Sequence, residues 1–145
     1  MSSLKSLIVT VLVACVYLGA CSGDTLPPLI ASNIEITEAM PGRKMSAGYL
    51  DLTNNTDSAI SISSVVSPQF KSVEMHESLL ENGVAKMRSI PGLSIPANST
   101  ITLKRGGKHL MLMQASGTAE QITLNFLSGD TILLAVQASI SVRNN

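Results

Sequence analysis

Both histidines of the chain, His76 and His109, lie between Glu74 and Met113, together with four of its seven methionines, Met75, Met87, Met111 and Met113. Ten residues separate His76 from Met87, twenty-one separate Met87 from His109, and one separates His109 from Met111. Imidazole nitrogen and thioether sulfur together suit a soft, low-charge ion, because polarisable sulfur selects monovalent copper over hard cations that prefer oxygen. The stretch contains no cysteine. A thioether forms no disulfide and needs no deprotonation to bind, which suits a site outside the cytoplasm. Zinc sites draw instead on Cys, His and carboxylate. His76, Met87, His109 and Met111 are therefore the candidate metal ligands, with Met113 a possible extra one. Met40, Met45 and Met75 read as core fillers.

Strands can bring these side chains together, because side chains on a strand alternate faces. His109, Met111 and Met113 share one face of a strand, and Leu110 and Leu112 share the other. With the leucines in a core, the His and Met side chains point away from it. Upstream, Lys71 to Glu77 and Val84 to Arg88 read as strands on either side of Asn82-Gly83, a strong hairpin signal. A two-residue turn there sets Glu81 opposite Val84 and Ser78 opposite Met87. His76 and Met87 then lie diagonally on one face, and Met75 falls on the other. No covering segment is visible in the sequence, so the ligands are expected to be accessible.

The chain opens with a targeting segment: Lys5 gives a short positive region, Leu7 to Tyr17 is apolar, and small residues follow. Leu18-Gly19-Ala20-Cys21 resembles a bacterial lipobox, in which the leader is cut before the cysteine and its sulfur is acylated. Leu12-Val13-Ala14-Cys15 fits less well, since cutting there leaves a short apolar region. Ordinary leader cleavage and a retained anchor are the alternatives, although Leu7 to Ala20 is short for a membrane-spanning helix. With Cys21 as the mature N-terminus, Cys15 is lost and no cysteine pair remains to form a disulfide. The expected organisation is a lipoprotein signal peptide over 1–20, a proline-containing tether over 21–32 and a copper-binding β-sandwich domain over 33–145.

Beyond the tether, short runs rich in Val, Ile, Leu and Thr alternate with turn residues, and no stretch keeps a helical period. Strands are expected at Asn33–Thr37, Ser46–Asn54, Ile60–Val66, Lys71–Glu77, Val84–Arg88, Ser99–Leu103, Lys108–Met113, Gln121–Phe126 and Thr131–Val142. Pro41-Gly42, Asn54-Asn55, Ser67-Pro68, Pro91-Gly92, Pro96-Ala97-Asn98, Gly106-Gly107 and Ser128-Gly129-Asp130 punctuate them. This is the pattern of an all-β antiparallel sandwich. Removing the leader drops Lys5 and leaves nine basic against ten acidic residues. With no Trp and few aromatics, the chain lacks the basic face and stacking platforms of a nucleic-acid binder. Lys104, Arg105 and Lys108 form one local basic patch, readable as a solvated turn or as a docking surface for an acidic partner. No nucleophile elbow, cysteine nucleophile or carboxylate dyad marks an enzyme; Glu74 and Glu77 only flank His76.

The His and Met spacing resembles the signature of the periplasmic copper chaperone family PCu(A)C. The similarity extends from about Met45 to Val142 and includes Ala47-Gly48-Tyr49-Leu50-Asp51-Leu52-Thr53-Asn54, Ile95-Pro96-Ala97 and Gly106-Gly107-Lys108-His109-Leu110-Met111-Leu112-Met113. The resemblance implies a cupredoxin-like Greek-key sandwich that binds copper(I) through His76, Met87, His109 and Met111. It also implies delivery toward the binuclear copper centre of cytochrome c oxidase, with an oxidase subunit or a Sco-like protein as acceptor. Many family members are soluble in the periplasm, whereas the lipobox here points to a form tethered on the periplasmic side of a bacterial membrane; a monomer is expected. Copper sequestration without delivery and a metal-free structural sandwich are the competing readings.

Cys21→Ser should convert a membrane-associated protein into uncleaved precursor or released soluble protein. Mass spectrometry of the mature N-terminus checks this, and an unmodified N-terminus at another residue contradicts it.

Overall fold

The computed structural model describes residues 26–39, 42–118 and 120–141. The leader, Cys15, Cys21, Met40, Pro41 and Val142 lie outside the described residues. Eleven strands account for the described fold: β1 Leu29–Thr37, β2 Met45–Asn54, β3 Ile60–Ile62, β4 Ser64–Val66, β5 Phe70–Glu81, β6 Val84–Ser89, β7 Leu93–Ile95, β8 Ser99–Leu103, β9 Lys108–Ala115, β10 Gln121–Ser128 and β11 Thr131–Ser141. The order around the main sheet is β1-β11-β10-β4-β5-β9-β2, and β2 pairs back with β1 to close it. Closure removes the two free edges that an open sheet would leave. The all-β, cupredoxin-like expectation is what the structure shows, with one addition. β1 and β11 run parallel, pairing Ile36 with Ile140, while the other pairs are antiparallel.

Alternation decides which side chains fill the interior. Leu50, Leu52, Leu110, Leu112, Ile122, Leu124 and Phe126 are almost wholly buried, and Met75 joins them as expected, whereas Met45, also expected in the core, is exposed. Gly48 has a packing reason to be glycine: a Cβ there would meet Ile36 Cδ1 at 3.1 Å and Leu110 and Leu112 side-chain atoms at 3.3 Å. The backbone of β2 can therefore lie close over the leucines of β9.

Several boundaries differ from the sequence expectation. β1 begins at Leu29, so Leu29 to Ser32, expected as tether, pair with Asn54 to Asp51 of β2. The expected strand Ile60–Val66 is two strands, because Ser63 turns out of the ladder and gives its backbone N–H to the Leu127 carbonyl at 2.8 Å. That bend shifts the alternation by one residue. Val65 rather than Val66 is buried, and Val66 is exposed. β7 was not anticipated; its Leu93 and Ile95 flank a single serine between two prolines, a run too short to stand out. Both are buried, and β7 pairs with β3 in a separate two-stranded ribbon. The buried Asn54 amide fixes this end of the barrel by donating to the carbonyls of Ser58, Ile95 and Pro96.

β5 runs beyond its partner β9 and, with β6, forms a hairpin arm on which every residue of β6 is exposed. Asn82 and Gly83, with φ of 51° and 79°, make the two-residue turn of the primed type. Glu81 pairs with Val84 and Ser78 with Met87, the register expected from the sequence. Leu110→Ala should destabilise the barrel by about 2–5 kcal/mol, because the cavity left between β5 and β2 cannot close fully. Denaturant unfolding measures this, and a loss well under 1 kcal/mol would mean that this core is not close-packed.

Candidate metal centre

The pairing of β5 with β9 places His76 directly opposite His109, and Glu74 opposite Met111. One step outward, Met87 of β6 faces Ser78, diagonal to His76. Strand alternation then puts His76, Met87, His109 and Met111 on a single outer face, on the opposite side of the ladder from Met75, Leu110 and Leu112. The two imidazole centroids are 6.1 Å apart. Met113 sits one step further along the same face, opposite Ser72. It is half-buried and lies beyond the pair formed by Glu74 and Met111.

These side chains are not equally accessible. His109 and Met111 are 4% and 9% exposed although they face away from the core, and the His76 side chain is 15% exposed. Met87, on the hairpin arm, is 54% exposed. The open set of ligands expected from the sequence is therefore a graded one, closed at His109 and open at Met87. Tyr49 contributes to the closure, its ring lying 6.3 Å from that of His109. One edge of β2 is shared between β9, which takes Met45 to Gly48, and β8, which takes Leu50 to Asn54. Tyr49 stands at that handover. Arg105, from the turn joining β8 to β9, lies 4.7 Å over the Tyr49 ring and holds Glu35 at 2.6 Å. The hydrogen bond and charge of Glu35 raise the Arg105 guanidinium above its already high value. Arg105 is thus occupied within the chain, and the basic patch expected at Lys104, Arg105 and Lys108 is reduced to the two lysines. No sequence pattern linked Glu35 to Arg105 or to Tyr49, because 70 positions separate Glu35 from Arg105.

Hydrogen bonds set the ring nitrogens. His109 Nδ1 lies 2.9 Å from the Gly107 carbonyl, which can only accept, so Nδ1 carries the proton and Nε2 keeps its lone pair. His76 Nε2 lies 2.8 Å from a Glu74 carboxylate oxygen, and its Nδ1 is buried with no hydrogen-bond partner among the described residues. A buried polar atom left without a partner costs about 1–3 kcal/mol, so this nitrogen calls for a ligand. Among the described residues no three His, Cys, Asp or Glu side chains converge as they would at a zinc or hard-cation site. The register instead sets two thioethers on the same face as the two imidazoles. Two imidazole nitrogens with free lone pairs and two thioethers on one face fit copper(I).

A family model described as LpqE-like lipoprotein matches residues 29–138. The chain belongs to the LpqE-like family. A curated relative named "Putative lipoprotein Lxx21020", from Leifsonia xyli subsp. xyli, is 30% identical over 115 residues, which cover 73% of this chain and 69% of the relative. Among solved structures, CuI-DR1885 from Deinococcus radiodurans is 28% identical, with a TM-score of 0.63 over 81% of this chain and 80% of that one. The copper-bound PCuAC domain from PmoF2 also has a TM-score of 0.63, over 82% of this chain and 97% of that domain. At 18% identity, that second likeness is one of fold. The resemblance to PCu(A)C proteins expected from the sequence is borne out at the level of family and fold.

In this LpqE-like barrel Tyr49 lies beside His109 and carries Arg105 over its ring. Arg105→Ala should therefore speed carbethoxylation of His109 by diethylpyrocarbonate several-fold while leaving His76 little changed, as read by peptide mass mapping. Equal rates for His109 in the two proteins would show that the stack does not shield the ring.

Proposed function

We propose that this protein is an extracytoplasmic, lipid-anchored copper(I) chaperone that holds one ion through His76, Met87, His109 and Met111. The observation that carries the reading is the single outer face on which register and alternation gather two imidazoles with free lone pairs and two thioethers. The copper-bound state of the relative from Deinococcus radiodurans supports the same reading. Met113 is left as a packing neighbour with a sulfur in reserve. The lipoprotein names of the family and of its curated relative support attachment through Cys21 on the periplasmic side of a bacterial membrane.

The gradient of exposure gives the site a direction. His109 and Met111 form the sheltered end, and Met87 stands at the solvent end on an arm that, among the described strands, pairs with β5 alone. An incoming acceptor ligand would approach at Met87 and replace it first, while the imidazoles still hold the ion. Thioethers are neutral and weaker ligands than thiolates, so copper held here should pass to an acceptor with paired reduced cysteines. An oxidase copper-centre subunit or a Sco-like protein has that chemistry, which makes delivery toward cytochrome c oxidase the function in this account. Exposed Leu80 adjoins Met87 on the site face of the arm and offers an apolar rim for such a contact. The role is that of a carrier and not a catalyst, and one folded chain supplies all four ligands, so a monomer suffices. Sequestration is the second reading, favoured only by the burial of His109 and Met111.

Met87→Ile or Met111→Ile in the full chain should weaken copper(I) binding while leaving the β fold intact, and His76→Ala with His109→Ala should abolish tight binding. Competition with a copper(I) chelator under reducing conditions measures this. Unchanged affinity in the double histidine variant would refute the ligand assignment. Affinity should also fall as the pH is lowered, because imidazole binds metal only when neutral whereas thioethers do not titrate. A flat profile between pH 8 and 4 would point to a site made of methionines alone.

A further inference from the structure

The copper reading names ligands but does not say which nitrogen of His76 binds or what holds that ring in place. His109 has its answer in the backbone, since the Gly107 carbonyl engages Nδ1. Among the described residues the His76 ring has no backbone partner, and its one hydrogen bond is to the Glu74 carboxylate, from Nε2 at 2.8 Å. Two residues apart on β5, Glu74 and His76 share the outer face, and Glu74 stands directly across from Met111. The carboxylate thus lies at the rim of the site, bound to a ligand through the ring atom that faces away from the orphaned one. Its counterpart across the other face of the strand, Glu77, is taken by Arg88 at 3.3 Å and is not available to His76.

Resting on the copper reading, we propose that Glu74 is the positioning residue of the site: it fixes His76 as the Nε2–H tautomer and presents the buried Nδ1 as the metal-binding atom. An ionised carboxylate can only accept, so it selects the tautomer with the proton on Nε2 and the lone pair on Nδ1. A carboxylate behind a ligating imidazole also raises the basicity of the ligand and limits ring rotation. The site then uses two different nitrogens, Nδ1 from His76 and Nε2 from His109. Each ring is held from behind, one by a side chain and one by a backbone carbonyl. The asymmetry makes His76 the adjustable half. A backbone carbonyl cannot be removed by substitution or rotation of a side chain, whereas Glu74, half-exposed, can release its ring.

Long-range proton–nitrogen NMR on the full chain in detergent micelles tests this, since copper(I) is diamagnetic. In the metal-free protein His76 should show a protonated Nε2 and a bare Nδ1. Adding copper(I) should then move the Nδ1 resonance of His76 and the Nε2 resonance of His109. Glu74→Ala should bind copper(I) about 10–100-fold more weakly, the usual cost of losing such a partner. Glu74→Gln should lose less, because its amide oxygen still accepts from Nε2, and neither change should alter the circular dichroism spectrum. Binding through His76 Nε2 in the wild type, or unchanged affinity in Glu74→Ala, overturns the proposal and leaves the copper site standing. Absence of copper binding by the wild type would instead remove the reading on which the proposal rests.

Discussion

The register between β5 and β9 is the constraint on which the rest depends. A slip of one residue along either strand would turn His76 or the His109 and Met111 pair to the opposite face, because alternation has a period of two. The register is held from inside: the buried Leu110 and Leu112 of β9 pair with Met75 and Val73 of β5. The hydrophobic core thus determines which imidazoles and thioethers share the face outside it. Gly48 lets β2 pack closely against the same leucines, and barrel closure through β1 holds β2 in place. The Asn82-Gly83 turn extends the register to β6 and sets Met87 diagonal to His76.

On that frame the donors are arranged from sheltered to open. His109 is enclosed by Tyr49 and fixed through Gly107, and Met111 is buried beside it, while Met87 stands on an arm with few neighbours. A site open on all sides would exchange copper with any passing ligand, and one closed on all sides would keep it. Strand-mounted imidazoles and thioethers with one exposed sulfur lie between these limits. They suit an ion that must be held against water and yielded to a stronger ligand. The stack of Arg105 on Tyr49, tied to Glu35, brings three separate parts of the chain to the closed end. It also shows why a basic cluster in sequence need not be a basic surface in space.

Much of this was legible in the sequence because it depended on local rules. Asn-Gly fixed a two-residue hairpin, and with it the pairing of Ser78 with Met87. Alternation in Lys108–Met113 separated the leucines from His109, Met111 and Met113, and Met75 fell on the core side by the same count. What escaped depended on long-range contact. The shelter of His109 comes from Tyr49 on β2, a contact that no spacing in the sequence marks. The bend at Ser63 comes from a carbonyl on β10, and β7 is a strand only because β3 lies beside it. The early start of β1 at Leu29 has the same origin, since Leu29 to Ser32 are ordered by the end of β2.

The central claim is that two imidazoles and two thioethers hold one copper(I) ion. X-ray absorption at the copper edge, on the reduced and stoichiometrically loaded protein, reads the donor set directly. The account predicts a monovalent edge and a mixed first shell of sulfur and nitrogen, with imidazole scattering in the outer shells and sulfur reduced in Met87→Ile. A first shell of nitrogen and oxygen alone, unchanged by that substitution, would contradict it.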